Sequence, residues 1–102
     1  MAIDNLTAIL AERVMGWGVG PDRYLTSKRG WMPRWRFQPT ENVDDAFRLL
    51  EKAKPEAYTM GSGGGGFFWA KVRISGVTGE AHESSQARAI VFAITRALGL
   101  EA

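Results

Sequence analysis

A small α+β fold, with an antiparallel sheet of three to four strands packed sandwich-like against three amphipathic helices, is predicted by three features of the sequence. Three segments repeat apolar residues every three or four positions, one segment alternates them every second position, and turn-forming residues separate the segments. Helices and an antiparallel meander that follow one another in this way pack as layers around a shared core.

The first helix is expected from Ile3, Leu6, Ile9, Leu10 and Val14, which share one face at helical spacing, with Asp4 as its cap and Gly16 as its stop. A second follows Pro39, where Val43, Ala46, Phe47, Leu50 and Ala53 form a stripe. Thr40 or Asn42 caps it, Glu41, Asp44 and Asp45 suit the positive end of its dipole, and Pro55 closes it. The third starts at Ser84 or Ser85, runs through Ala87, Ile90, Val91, Ile94 and Leu98, and ends at Gly99.

Between the last two helices, Phe67 to Ile74 alternates with period two and is rich in aromatic and β-branched residues, so it reads as a strand. Phe68, Ala70, Val72 and Ile74 are expected to face the core. Ala57 to Met60 and Val77 to His82 are its antiparallel partners, joined through residues 61–66 and through a turn at Ser75-Gly76. Trp31 to Phe37 reads either as a fourth strand or as irregular chain, because Pro33 and Pro39 confine it to an edge or a loop.

A length of 102 residues suits one domain spanning 1–102, and a composition of 45% hydrophobic and 24% charged residues is that of a globular chain. The absence of Cys rules out a disulfide, a thiolate metal site and a cysteine nucleophile. No apolar run approaches the ~20 residues that cross a bilayer, and the first fifteen residues do not read as a signal peptide. A cytoplasmic protein without a membrane partner is expected. The net charge of +2 is unevenly spread: residues 16–40 hold five basic residues against Asp22, or +4, which leaves −2 for the remainder.

No catalytic constellation emerges, and neither a cofactor nor a metal is expected. The glycines at 61–66 feed a strand rather than a helix and lack a following Lys-Ser or Lys-Thr, so they read as a mobile connector, not a phosphate cradle. Gly16 to Gly20 follows a helix, whereas a dinucleotide fingerprint follows a strand. His82 is the only imidazole; Glu80 shares its strand face and Glu83 lies on the other, so the three do not converge and His82 reads as a surface residue. Ser84 and Ser85 read as caps, not nucleophiles.

The segment from Lys28 to Phe37 interleaves cations and indoles, which is how proteins hold phosphates while bases stack. Lys28, Arg29, Trp31, Arg34, Trp35 and Arg36 are therefore the candidate binding surface. The competing reading turns Trp31, Trp35 and Phe37 inward over the core while the basic residues reach outward, and it is preferred.

Ala11 to Trp17, Trp31 to Pro39, the helix containing Asp45 to Lys52, and Gly79-Glu80-Ala81 leading into an Ala-rich last helix resemble the phage ABA-sandwich family of short phage and prophage proteins. The resemblance spans nearly the whole chain and implies helices on either side of a sheet. It transfers no catalytic residue, and the glycine run departs from it. The expected function is that of a non-enzymatic phage or prophage accessory protein, acting in the host cytoplasm by binding a host or phage protein, with counter-defence among the roles that fit. The alternatives are a nucleic-acid-binding module using residues 28–36 and a small hydrolase or transferase using His82 with Glu80 or Glu83. The sequence leaves the oligomeric state open.

Overall fold

The structure, a computed structural model, describes residues 3–26 and 30–100. Helix α1 (Ile3–Arg13) is followed by three very short strands, β1 (Gly18–Val19), β2 (Arg23–Leu25) and β3 (Trp31–Pro33), and a 3-10 turn at Arg34–Arg36. Then come α2 (Val43–Ala53), β4 (Ala57–Ser62), a 3-10 turn at Gly64–Gly66, β5 (Phe68–Ile74), β6 (Val77–Glu83) and α3 (Gln86–Ala97). The strands form two antiparallel three-stranded sheets, ordered β1-β2-β3 and β4-β5-β6. The sequence foresaw the second of these. The first was not foreseen, and the fourth strand expected from Trp31 to Phe37 does not join the large sheet: Trp31–Pro33 is an edge strand of the small one. Pro33 sits at its end, where a missing N–H breaks no ladder.

The helix ends follow local chemistry. Asn42 caps α2, its side-chain oxygen accepting the N–H of Asp44 at 2.9 Å, and Ser85 caps α3, its hydroxyl accepting the N–H of Arg88 at 3.1 Å. Gly16 and Gly99 follow α1 and α3 with positive φ, as expected of helix stops. Asp4 lies inside α1 and not ahead of it, so it is not the cap.

Helix α2 presents a different face from the one its spacing suggested. Ala46, Leu49 and Leu50 are buried, whereas Val43 and Phe47 are more than a third exposed. The helix is rotated because Asp45 turns inward, where its Oδ2 accepts the N–H of Gln38 at 3.0 Å.

Helix α3 lies across β5 and β6 with α2 against its other side, so Ala89, Ile90, Val91, Ala93 and Ile94 are all fully buried. Alternation in β5 places Ala70, Val72 and Ile74 under α3, as predicted, and in β6 it places Gly79 and Ala81 there. Approach is closest at Gly79: a Cβ there would stand 2.1 Å from the Ala93 carbonyl oxygen and 2.4 Å from the Ala97 nitrogen. On the opposite face of the sheet Thr59, Lys71, Arg73, Thr78, Glu80 and His82 are exposed, so among the described residues no helix covers it. Helices on either side of one sheet, which the family resemblance implied, are not what these elements show. The coarser prediction of three helices and an antiparallel meander in an α+β fold is what the structure has.

The glycine run divides in two. Gly61 and Ser62 belong to β4, paired with Trp69 and Phe68, and the connection proper spans 63–67, drawn together by the Gly63 N–H on the Phe67 carbonyl at 2.8 Å. No helix of the described residues is long and apolar enough to cross a membrane.

Candidate functional site

The small sheet is built on an aromatic nucleus. Tyr24 and Phe37 are each 1% exposed, and Trp17 meets both, edge-on to Phe37 at 5.0 Å between ring centroids and tilted on Tyr24 at 5.8 Å. Such edge contacts align ring hydrogens with a neighbouring π-face and add to the burial energy. Because β2 alternates, Tyr24 points inward while Arg23 and Leu25 point out, and the register sets Leu25 beside Trp31 and Arg23 beside Pro33.

The outer face therefore carries Arg23, Leu25 and Trp31. Leu25 is 53% and Trp31 58% exposed, and the Arg23 guanidinium lies 5.0 Å from the Trp31 ring centroid. Asp22 orients that guanidinium through two hydrogen bonds, Nε to Oδ1 at 3.1 Å and Nη2 to Oδ2 at 3.3 Å. In return Arg23 holds the Asp22 carboxyl below its ordinary range. On the next turn Trp35 is 69% exposed with Arg36 over its ring at 5.9 Å. Each indole thus stands in solvent with its own cation.

Inward-turned indoles are accordingly excluded for Trp31 and Trp35, and the core-covering reading holds only for Phe37. The reason is register: with β3 an edge strand and Arg34–Arg36 a tight turn, strict alternation from 31 to 37 is broken at Pro33. Arg34 has a structural part, its guanidinium against the Tyr24 ring at 5.5 Å and its Nη1 on the Pro21 carbonyl at 3.4 Å. Of the six candidate residues, Trp31, Trp35 and Arg36 lie exposed, Arg34 is half-buried, and Lys28 and Arg29 fall outside the described residues. Arg23 and Leu25 were missed as site residues. Their signal is a three-residue alternation after Pro21-Asp22, too short to count as periodicity.

Elsewhere, chemistry does not assemble. His82 Nε2 lies 2.9 Å from Glu80 Oε1, whereas Glu83 faces the helix layer, 3.6 Å from Arg88 Nε. Glu80 and His82 thus share one strand face and Glu83 lies on the other, the placement expected from the alternation, and no group of three His, Asp or Glu side chains suited to a metal occurs among the described residues. A shallow groove of about 290 Å³ lies between Arg13, Val14, Lys52, Ala53, Leu98 and Leu100. Its two cations occupy the last turns of α1 and α2, where they offset the negative ends of the helix dipoles.

No protein-family model matches the chain, and no curated protein matches it. Among solved structures, it is similar to a phage protein from Bacillus cereus, with a TM-score of 0.79 and 14% identity over 100% of this chain and 92% of that one. At this identity the likeness shows a shared fold, and the phage ABA-sandwich resemblance continues to rest on the sequence pattern alone.

Proposed function

We propose that this chain is a non-enzymatic phage or prophage accessory protein that binds a host or phage protein in the bacterial cytoplasm through the outer face of its small sheet. The observation that carries the reading is the pair of solvent-exposed indoles, Trp31 and Trp35, each beside an arginine. Trp and Arg dominate the energetic centres of protein interfaces because one buries a large rigid area and the other combines planarity with several donors. Leu25 extends the patch with apolar surface, which a protein partner buries and a polyanion does not. The phage context comes from the sequence resemblance, and the shared fold with a phage protein agrees with it. Counter-defence is one role such a protein takes.

A second reading, nucleic-acid binding by the same segment, is favoured by its charge of +4 over residues 16–40. Affinity capture from bacterial lysate separates the two. The expected result is a protein captured equally with and without nuclease by the native chain, and lost by the Trp31→Ala/Trp35→Ala variant. Capture abolished by nuclease favours the second reading, and capture unaffected by the double substitution places the interface elsewhere. An activity dependent on His82 with Glu80 or Glu83, as a hydrolase or transferase would need, has the least support, because the one pair that meets, His82 with Glu80, stands exposed on the open sheet face while Glu83 turns to the helix layer.

A further inference from the structure

The uncovered face of the large sheet is not a neutral surface. Its three cross-strand rows are Gly61–Trp69–His82, Thr59–Lys71–Glu80 and Ala57–Arg73–Thr78. The central strand supplies every tall side chain but those of Glu80 and His82, and β4 beside it contributes only Ala57, Thr59 and Gly61. Above Gly61, three bonded or near-bonded atoms of the Trp69 indole, Cζ2, Nε1 and Cε2, lie 3.0, 3.0 and 3.1 Å from where a Cβ would begin. Three ring atoms nearly equidistant from that point mean that the indole turns a face to the Gly61 position, filling the space that glycine leaves. Trp69 is half-buried there, so part of its ring stays open to solvent.

Lys71 and Arg73 follow Trp69 at two-residue steps on the same face, about 7 Å apart along the strand. Neither has a carboxylate within ion-pair distance among the described residues, and the one acid on this face, Glu80, is engaged by His82 at 2.9 Å.

We propose that this face binds single-stranded nucleic acid, with the Trp69 indole as a base-stacking platform and Lys71 and Arg73 as phosphate contacts. An indole open to solvent accepts any base, and cations in line with it follow a backbone. The face fits other occupants less well. Trp69 is the only large apolar side chain in these three rows, too little for the apolar centre of an interface between two copies of the chain. A duplex keeps its bases stacked internally and offers none to an indole. Recognition by stacking and phosphate contact makes no use of the 2′-hydroxyl, so DNA and RNA strands bind alike.

The test is fluorescence anisotropy of labelled oligothymidylate and oligouridylate, each of about 12 nucleotides, titrated with the full chain at several salt concentrations. Both strands are expected to bind the native chain with similar affinity and a homologous duplex more weakly. Trp69→Ala should weaken binding about tenfold or more, while Trp69→Phe, which keeps a stacking ring, restores most of it. Lys71→Gln/Arg73→Gln, at exposed positions that the fold does not need, should make the slope of log affinity against log salt shallower by about 1.4, the share of two phosphates on a single strand. Trp31→Ala/Trp35→Ala, on the small sheet and the turn after it, should bind as the native chain does. The proposal is overturned if neither strand binds at low salt, if the duplex binds as tightly as the strands, if the Lys71/Arg73 variant keeps the native salt slope, or if binding is lost through Trp31 and Trp35 but not through Trp69.

Discussion

At Gly79 the backbone of β6 comes so close to α3 that a single methyl group has no place, since its nearest neighbours are the Ala93 carbonyl and the Ala97 nitrogen, which cannot rotate away. Gly79→Ala must therefore lift the helix off the sheet, and it should cost about 3 kcal/mol or more, beyond ordinary overpacking. Urea denaturation measures this, and a loss below about 1 kcal/mol would show that the layers are not held by this contact. Trp35 and Phe37 make the opposite pair. Trp35, 69% exposed, should tolerate alanine within about 0.5 kcal/mol, whereas Phe37→Ala should cost about 3–5 kcal/mol. From the sequence alone Trp35 reads as core; two residues separate a solvent-facing ring from a buried one, and only the turn at Arg34–Arg36 decides which is which. On the open sheet face, the hydrogen bond from His82, with smaller help from the Lys71 charge, holds the Glu80 carboxyl below its ordinary range. A depressed folded-state pKa means that this interaction stabilises the fold above the usual glutamate range and is lost as pH falls through the folded value. His82→Gln should move the Glu80 titration, followed by NMR, upward toward an ordinary carboxylate while the protein stays folded; an unmoved titration would remove His82 as the cause.

Elements were legible in proportion to their length. Each helix of eleven or twelve residues carries several turns of apolar repeat, and α2 and α3 add a side-chain cap, starting one residue after Asn42 and Ser85, both among the caps expected. The seven-residue β5 shows its alternation plainly. Strands of two and three residues, such as β1, β2 and β3, contain less than two periods, and their pairing depends on Trp17, Tyr24 and Phe37 meeting in space. The candidate surface on that sheet was legible as composition but not as orientation, for the same reason. The turn at Ser75-Gly76 was foreseen because both residues take positive φ, as a two-residue hairpin demands, and glycine does so without a side-chain clash. The same geometry gives a prediction for the glycine connection. Ser62 and Phe68 are a register pair, so replacing residues 63–67 by Asn-Gly joins them through a two-residue turn of the favoured type. A shorter loop lowers closure entropy by about 0.5–1 kcal/mol. The variant should unfold cooperatively at an equal or higher urea midpoint, and a lower midpoint would assign residues 63–67 a packing role that their exposure does not suggest.

Across the whole molecule, two sheets share one core. Leu6, Leu10 and Met15 from the first segment, Tyr24 and Phe37 from the small sheet, and Leu49, Val72, Ile90 and Ile94 from the helix and sheet layers belong to a single cluster of buried side chains. The two surfaces argued above then belong to different elements of a common framework: Trp31 on the small sheet and Trp35 on the turn after it, Trp69 on the open face of the large sheet. A small sheet of eight strand residues has no core of its own beyond the aromatic nucleus, so it cannot outlast the packing beneath it, nor can Phe37 leave that packing without opening it. Folding should thus be all-or-none for the described residues. The distribution of tryptophan makes this measurable, because Trp17, Trp31 and Trp35 lie in the first 35 residues and Trp69 is the one indole on the large sheet. In a Trp69→Phe variant all tryptophan fluorescence reports the small sheet, while far-ultraviolet circular dichroism is dominated by the helices. Urea transitions followed by the two signals should coincide in midpoint and slope, the signature of a two-state unit. A fluorescence midpoint that precedes the helical one would instead make residues 16–40 a separately opening lobe, joined to the core through Phe37 but not cooperative with it.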